Sequence, residues 1–219
     1  MTAPGRDWPD PSDIRERARA AGIDLNEPAS VALAEHARAV LAANERLHLT
    51  AITQRDAFFE RHLGEAFEGA ALLPSGVRGT LLDLGSGNGY PGIPIAIARP
   101  GLVPLLAEAS VRKASFLREA LAAAGLSQGK VLAANVARAA DLEDVPRLAV
   151  LATRAMGGWE RIVPKLAGCL APEGVVLLWV GIDAASVFAR KAWERLRVEK
   201  KRALPGRDNS FVYRFSVAN

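Results

Sequence analysis

Cysteine is almost absent. Cys169 is the only one in 219 residues, which excludes an internal disulfide and any metal site built from clustered thiolates; in its apolar helical stretch it reads as a small buried thiol. Histidine is nearly as scarce. His36, His48 and His62 all precede the glycine-rich turn described below, and isolated histidines in helical surroundings read as surface or packing residues. No serine, cysteine and histidine stand in an arrangement suited to nucleophilic catalysis, and metal-ligand spacing is absent. The N-terminus shows no signal pattern, and no apolar run reaches the length of a membrane span. The expectation is a soluble, cytoplasmic protein with no metal and no membrane partner. Internal repeats and low-complexity tracts are lacking too.

What is present is apolar substance and an uneven charge. Half of the residues are hydrophobic, enough for one full α/β core with a modest additional element. The formal charge is +4, and it is concentrated late: residues 183–219 carry nine basic against four acidic side chains, whereas residues 1–79 carry nine against twelve. Such asymmetry points to a polyanionic partner, with a solvated charged face as the plainer explanation.

The most informative stretch runs from Leu81 to Pro94, LLDLGSGNGYPGIP. An apolar run from Thr80 reads as a buried strand, the glycines after it let backbone pass close to a ligand, and Pro91 permits a helix to begin. Gly85, Gly87 and Gly89 follow G-x-G-x-G and not the dinucleotide pattern G-x-G-x-x-G. Glu108, at the end of the next strand candidate, can grip ribose hydroxyls. An adenosyl cofactor therefore fits better than NAD. Asp83 braces the turn or meets the cofactor's ammonium group.

Before this turn the sequence is helical. Ser12 or Asp13 can cap a helix to about Ala21, stopped by Gly22. A second helix is predicted from about Pro28 to Asn44, and a third from about Gln54 to Leu72 behind Thr53. From Thr80 onward strand and helix patterns alternate, the signature of a mostly parallel sheet covered by helices. Strands are predicted near 80–84, 102–107, 130–135, 148–153 and 174–180, and helices near 91–98, 111–124, 155–170 and 183–196. Two last strands, about 197–203 and 210–217, flank the turn Pro205-Gly206-Arg207-Asp208-Asn209 with no room for a helix, so they pair as an antiparallel hairpin. Residues 1–75 read as a helical extension and 76–219 as the main domain, the two forming a single compact unit.

Open α/β sheets bind ligands beyond the carboxyl ends of their strands. Four such ends carry candidates: Asp83 to Tyr90; Glu108; the segment Ala134 to Ala140, with Arg138; and Thr153-Arg154-Ala155. Arg138 and Arg154 are expected to converge on one pocket mouth, offering planar donor forks to phosphate or to a cofactor carboxylate. Methyl transfer from a sulfonium needs no general base and no metal, because the positive charge on the donor drives it and the protein mainly aligns the reactants.

These residues resemble the RsmG family, also called GidB, bacterial methyltransferases of 16S rRNA. The resemblance runs from about Asn44 to Val212. Asp83 to Pro94 is similar to the family's D-x-G-S-G-x-G-[FY]-P-G-I-P, in which the trailing P-G-I-P is far more specific than the glycines. Arg112 to Leu117 is similar to its K-[KR]-x-x-F-L, Thr153-Arg154-Ala155 to its S-R-A, and Leu49 to Ile52 and Arg61-His62 to its N-L-T-x-I and R-H segments. The resemblance implies a Rossmann-like class I methyltransferase sheet, S-adenosyl-L-methionine as cofactor, and cofactor contacts at Gly85, Tyr90, Glu108, Ala139, Ala140 and Arg154. It implies for Arg138 a role in holding rRNA or cofactor near the transfer site. Two departures stand out: Val180-Gly181 occupies the place of a K-G pair, and the final hairpin offers Asn209 or Ser210 where the family has an arginine, with Arg207 the nearest substitute. Smaller departures are His48 for Asn, Gly64-Glu65-Ala66 for an L-D-S-type run, and Ala140 for Glu.

The expected activity is S-adenosylmethionine-dependent methylation of N7 of a guanine in 16S rRNA, with Arg138 and Arg154 orienting substrate, the partner being naked rRNA or the small ribosomal subunit and the chain a monomer. Gly85, Gly87 and Gly89 give room to the cofactor, Glu108 holds its ribose and Tyr90 packs near it. Two competing readings stay open at this point: the same chemistry on another substrate, and a non-catalytic RNA-binding module.

Overall fold

Residues 79–84 form strand β1 (Gly79–Leu84) because four consecutive residues, Leu81, Leu82, Asp83 and Leu84, are buried and alternate between two faces. Leu81 joins an apolar cluster on one side of the sheet and Leu82 a second cluster on the other, as the two-residue period of a strand requires. The computed structural model describes residues 8–181 and 184–218. Its sheet has six further strands: β2 (Leu102–Ala107), β3 (Lys130–Leu132), β4 (Leu148–Arg154), β5 (Leu170–Gly181), β6 (Leu196–Ala203) and β7 (Ser210–Val217). Their order is β3-β2-β1-β4-β5-β7-β6. The first five are mutually parallel, and β7 is antiparallel to both β5 and β6. The predicted hairpin is thus present, closing one side of the sheet.

Central β4 is buried over six of its seven residues, the continuous apolar run expected where helices cover both faces. Val150 packs in one cluster and Leu151 in the other. Each such fully buried side chain contributes about 1.5–3 kcal/mol of transfer free energy. Edge strand β6 is different: Arg197 to Lys201 are exposed, and charge on an open edge opposes pairing with another chain.

The N-terminal helices are α1 (Pro11–Ala20), α2 (Glu27–Leu47), α3 (Arg55–Phe58) and α4 (Glu65–Leu72). Asp10 caps α1 by accepting from the Ser12 amide, in place of the predicted Ser12 or Asp13, and Asn26 caps α2 by accepting from that of Ala29, so that α2 starts one residue ahead of Pro28. The third predicted helix holds as one helical run, but residues 59–64 are a wider π-helical segment between α3 and α4. Ile14, Leu33, Phe58 and Phe67 of these helices share one core cluster with Leu81 of β1 and with Ile93.

Helix α5 (Gly92–Ala98) follows the glycine turn, α6 (Val111–Ala123) follows β2, and α7 (Trp159–Leu166) follows β4. The predicted helix 155–170 is shortened at its start because Ala155 and Gly158 adopt left-handed backbone angles, φ 55° and 77°. The predicted helix 183–196 is reduced to α8 (Ala184–Phe188) and a 3-10 turn at Lys191–Trp193, its first residue lying outside the described residues. Strand β3 ends at Leu132, short of 135, and the chain then loops to a 3-10 turn at Ala139–Leu142.

The topology fixes where a site can lie. The chain steps outward from β1 to β2 and β3, then returns across the sheet to place β4 on β1's other side. The carboxyl ends of β1 and β4 therefore flank the crevice where the strand order reverses, the usual binding position in such sheets. No helix among the described residues is long and apolar enough to cross a membrane.

Candidate active site

The turn after β1 is held in a shape that only glycine adopts easily. Gly85, Gly87 and Gly89 have φ of 76°, 53° and 87°, in the region disfavoured for residues with a Cβ. At Gly89 a Cβ would also stand 2.8 Å from the Ile93 side chain and 2.9 Å from His36 Nε2. Gly89 therefore serves packing against α2, while Gly85 and Gly87 line the open side.

Beneath the turn, Asp83 is buried. Its Oδ2 accepts a hydrogen bond from the Gly92 amide at 3.1 Å, at the start of α5, and Oδ1 has no hydrogen-bond partner among the described residues. Burial raises this carboxyl to about pKa 6. Asp83 thus braces the turn from below. Glu108, just beyond β2, accepts from the Gly87 amide at 3.0 Å through Oε2 and from the Ser110 amide at 2.8 Å through Oε1. Each oxygen keeps a lone pair, and the carboxylate sits against the glycine turn as an acidic clasp for a ribose requires.

A cleft of about 300 Å³ opens beside the turn. Gly85, Gly87, Asn88, Tyr90 and Arg154 line it, together with residues from the N-terminal helices, Thr50, Arg61, His62 and Glu65, and with Arg207 of the hairpin turn. The floor is an ion cluster. Glu65, almost wholly buried, accepts from Arg61 Nε at 3.0 Å and Arg207 Nη1 at 3.5 Å on one oxygen, and from Arg154 Nη1 at 3.2 Å on the other. Arg154 also donates to the Arg61 carbonyl and, at 2.9 Å, to His62 Nδ1. Burial lowers the Arg154 pKa and Glu65 offsets the shift. Three guanidinium groups around one carboxylate leave an excess of positive charge at the cleft, an arrangement that favours phosphate or carboxylate.

Tyr90 is clamped between rings. His36 lies 4.6 Å and His62 4.8 Å from its ring centroid, and its hydroxyl, buried without a partner among the described residues, is held protonated by desolvation. Because arginine only donates, His62 Nδ1 must accept, so the ring's proton is on Nε2 and is donated to Thr50 Oγ1 at 3.0 Å. His36 Nε2 is hydrogen-bonded to the Asn88 carbonyl at 3.0 Å. A carbonyl only accepts, so the His36 proton is likewise on Nε2.

Burial depresses His36 to about pKa 4, and burial followed by the Arg154 charge depresses His62 to about 2. Groups with depressed pKa stabilise the fold above their unfolded value, near 6.5, and lose that contribution as pH falls through the folded value. Asp83, raised to about 6, acts oppositely: its contribution is full below the unfolded value of 3.8 and is lost as pH rises through about 6. Two groups outweigh one. Unfolding free energy is expected to fall by roughly 1.4 kcal/mol per pH unit between pH 6 and pH 4, and urea titrations across that range check it. A His36→Gln variant is expected to show a shallower dependence.

The sequence-derived candidates fall into three groups. The structure brings Gly85, Gly87, Tyr90 and Arg154 into one cleft, with Glu108 at its rim and Asp83 beneath. Ala139 and Ala140 are exposed in the 3-10 turn beyond β3 and do not line the cleft. Arg138 does not converge with Arg154. It is exposed, and its Nε donates to Asp141 Oδ1 at 3.1 Å while Asp141 Oδ2 takes its backbone amide. Sequence pattern alone does not single out His62, Glu65, Arg61 and Thr50, although the segments similar to N-L-T-x-I and R-H contain three of them.

The remaining acceptor capacity of Glu108, the orphaned oxygen of Asp83 and the cationic floor together fit an adenosyl cofactor bearing a carboxylate. Among the described residues no group of three or more His, Cys, Asp or Glu could hold a metal ion. A sheet of this order with this turn at its reversal point defines a class I methyltransferase, and solved structures share the fold. The ribosomal protein L11 methylase of Lactobacillus delbrueckii subsp. bulgaricus aligns with a TM-score of 0.57 at 15% identity over 73% of this chain and 79% of that one. The sequence model of the GidB family, described as rRNA small subunit methyltransferase G, matches residues 30–203, and the chain belongs to that family. The ribosomal RNA small subunit methyltransferase G of Sorangium cellulosum is 33% identical over 184 residues, 84% of this chain and 77% of that protein. The protein of the same name from Myxococcus xanthus is 33% identical over 192 residues, 84% and 85% of the two chains.

Proposed function

We propose that this enzyme transfers a methyl group from S-adenosyl-L-methionine to N7 of a guanine in 16S rRNA, acting in the cytoplasm as a monomer on naked rRNA or the small ribosomal subunit. Family membership supports the small-subunit rRNA substrate. The observation that carries the chemistry is the cleft itself: an acidic clasp and a glycine turn on one side, an excess of guanidinium charge on the other, and, among the described residues, no poised base. N7 of guanine bears a lone pair in its neutral form, so no proton need be removed before attack.

When bound, the cofactor supplies a methyl carbon activated by a positively charged sulfur. The chain's own residues bind and align. Glu108 accepts from the ribose hydroxyls, Gly85 and Gly87 leave room beside the turn, and Tyr90 walls the cleft. Arg154, locked by Glu65 and His62, presents its fork to a carboxylate or phosphate. Ala139 and Ala140 border the adenine side, and Arg138, exposed one turn away, meets RNA phosphate once released from Asp141. Residues 1–75 and 76–219 work as one unit in this reading, since Thr50, Arg61 and Glu65 come from the first and Arg154 and Arg207 from the second.

The test is incubation of small subunits and of deproteinised 16S rRNA with labelled cofactor, followed by mass mapping. One methyl group on one guanine is expected, and borohydride reduction followed by aniline should cut the RNA at that nucleotide, as N7 methylation requires. Methyl incorporated only into protein, or at another base position, removes the N7 assignment.

A further inference from the structure

A second cleft, about 390 Å³, adjoins the first. Its walls include Met156, Trp159, Trp179 and Val180, and Ala155 belongs to both clefts. No charged side chain lines it among the described residues, in contrast to the ion cluster next door. Both tryptophans are fixed from behind. Trp179 Nε1 donates to the Glu65 carbonyl at 3.0 Å. Trp159, half-buried, meets Trp193 edge-on at 5.7 Å and lies 6.2 Å from Phe188. Met156 reaches the glycine turn, since a Cβ at Gly85 would stand 3.3 Å from its Cγ. The left-handed bend at Ala155, φ 55°, turns the chain from the cationic cleft into the apolar one.

An aromatic and aliphatic slot bordering a cationic cleft matches one feature of single-stranded RNA: a base with two apolar faces on a charged backbone. We propose that this slot receives the acceptor guanine, unstacked from its neighbours and lying against Trp159 and Val180, while its phosphate faces Arg61 and Arg207. The assignment rests on the methyltransferase reading above and adds the place of the base. Val180 takes part because it is aliphatic and lines the cleft.

The test compares two fluorescein-labelled single-stranded RNA oligonucleotides by anisotropy, one with a single guanine and one with an abasic site in its place. Contacts to phosphate are equal in the two, so the ratio of affinities reads the base alone. The full chain is expected to favour the guanine oligonucleotide by about tenfold, within the range for stacking of one base on an aromatic ring, and Trp159→Leu and Val180→Phe to reduce the preference to about twofold or less. Trp159→Phe keeps most of it. Equal binding of both oligonucleotides by the unaltered chain overturns the proposal and leaves the slot for an apolar protein side chain, as does a preference that survives in both Trp159→Leu and Val180→Phe. Should Trp159→Leu not fold, Val180→Phe alone decides, because its side chain enters open space in the cleft. A chain that shows the guanine preference yet leaves small subunits unmethylated fails the methyltransferase reading and not the base site.

Discussion

Glu65→Ala is expected to lower the free energy of unfolding by about 3–5 kcal/mol and the melting temperature by roughly 10 °C or more, with methyl transfer lost alongside. The reason is charge left uncompensated. Glu65 is 1% exposed and receives Arg61, Arg154 and Arg207, so its removal leaves three guanidinium groups facing one another, one of them almost as buried as the carboxylate was. Arg61 and Arg207 are about a third exposed and can turn to water. Arg154 cannot, which sets the magnitude. Glu65→Gln keeps the shape and should lose nearly as much, whereas Glu65→Asp, which keeps the charge and shortens the reach, should lose less. Thermal melts of the three variants check the order; a Glu65→Gln melt equal to that of the unaltered chain would show the cluster to be screened by solvent.

The second large effect is on cofactor affinity. Glu108→Ala is expected to raise the dissociation constant for S-adenosylmethionine by at least tenfold, because hydrogen bonds to a charged group contribute about 1.5–3 kcal/mol each. Two effects combine. The acceptors for the ribose are lost, and the Gly87 amide, which now donates to Glu108 at 3.0 Å, is freed, so the turn keeps only the Gly85 and Ser86 amides bonded to the Ala107 carbonyl at the end of β2. Glu108→Gln retains one acceptor oxygen and should fall between. Calorimetric titration reads both variants, and an unchanged affinity in Glu108→Ala would remove this residue from the cofactor site.

Much of this architecture was legible in the sequence because it is local. Alternating strand and helix patterns, the glycine turn and the terminal hairpin each depend on residues near one another in the chain, and the structure keeps them, with helix ends moved by side chains such as Asp10 and Asn26 that reach free amides. The cleft's other half depends on contacts across long stretches of chain. His62 and Arg154 are 92 positions apart, and Glu65 and Arg207 are 142 apart; no spacing rule joins them. Isolated histidines read as packing residues, and His36 and His62 do pack, around Tyr90. What periodicity could not show is that His62 packs there with a nitrogen turned to Arg154. Arg138 and Arg154 looked equivalent at the ends of their strands, yet Asp141, three residues on, draws Arg138 outward, and Glu65 draws Arg154 in.

The late positive charge likewise read as a surface for a polyanion, and part of it is turned inward. Arg202 pairs with Glu68 at 2.9 Å and donates to the Ala21 carbonyl, Arg214 donates to the Leu72 carbonyl at 2.8 Å, and Arg207 reaches Glu65. The cations left facing solvent on this hairpin include Lys200 and Lys201, the latter over the Phe211 ring at 4.9 Å.

That inward turn bears on synthesis. Arg61 is already made when Glu65 leaves the ribosome, but the other two counter-ions follow at positions 154 and 207, and β7 must pair between β5 and β6 before the last of them is placed. A nascent chain lacking this hairpin would hold Glu65 with Arg61 and Arg154 alone, so the methyl-transferring crevice gains its third cation only once the hairpin has docked, however soon the helices themselves have formed.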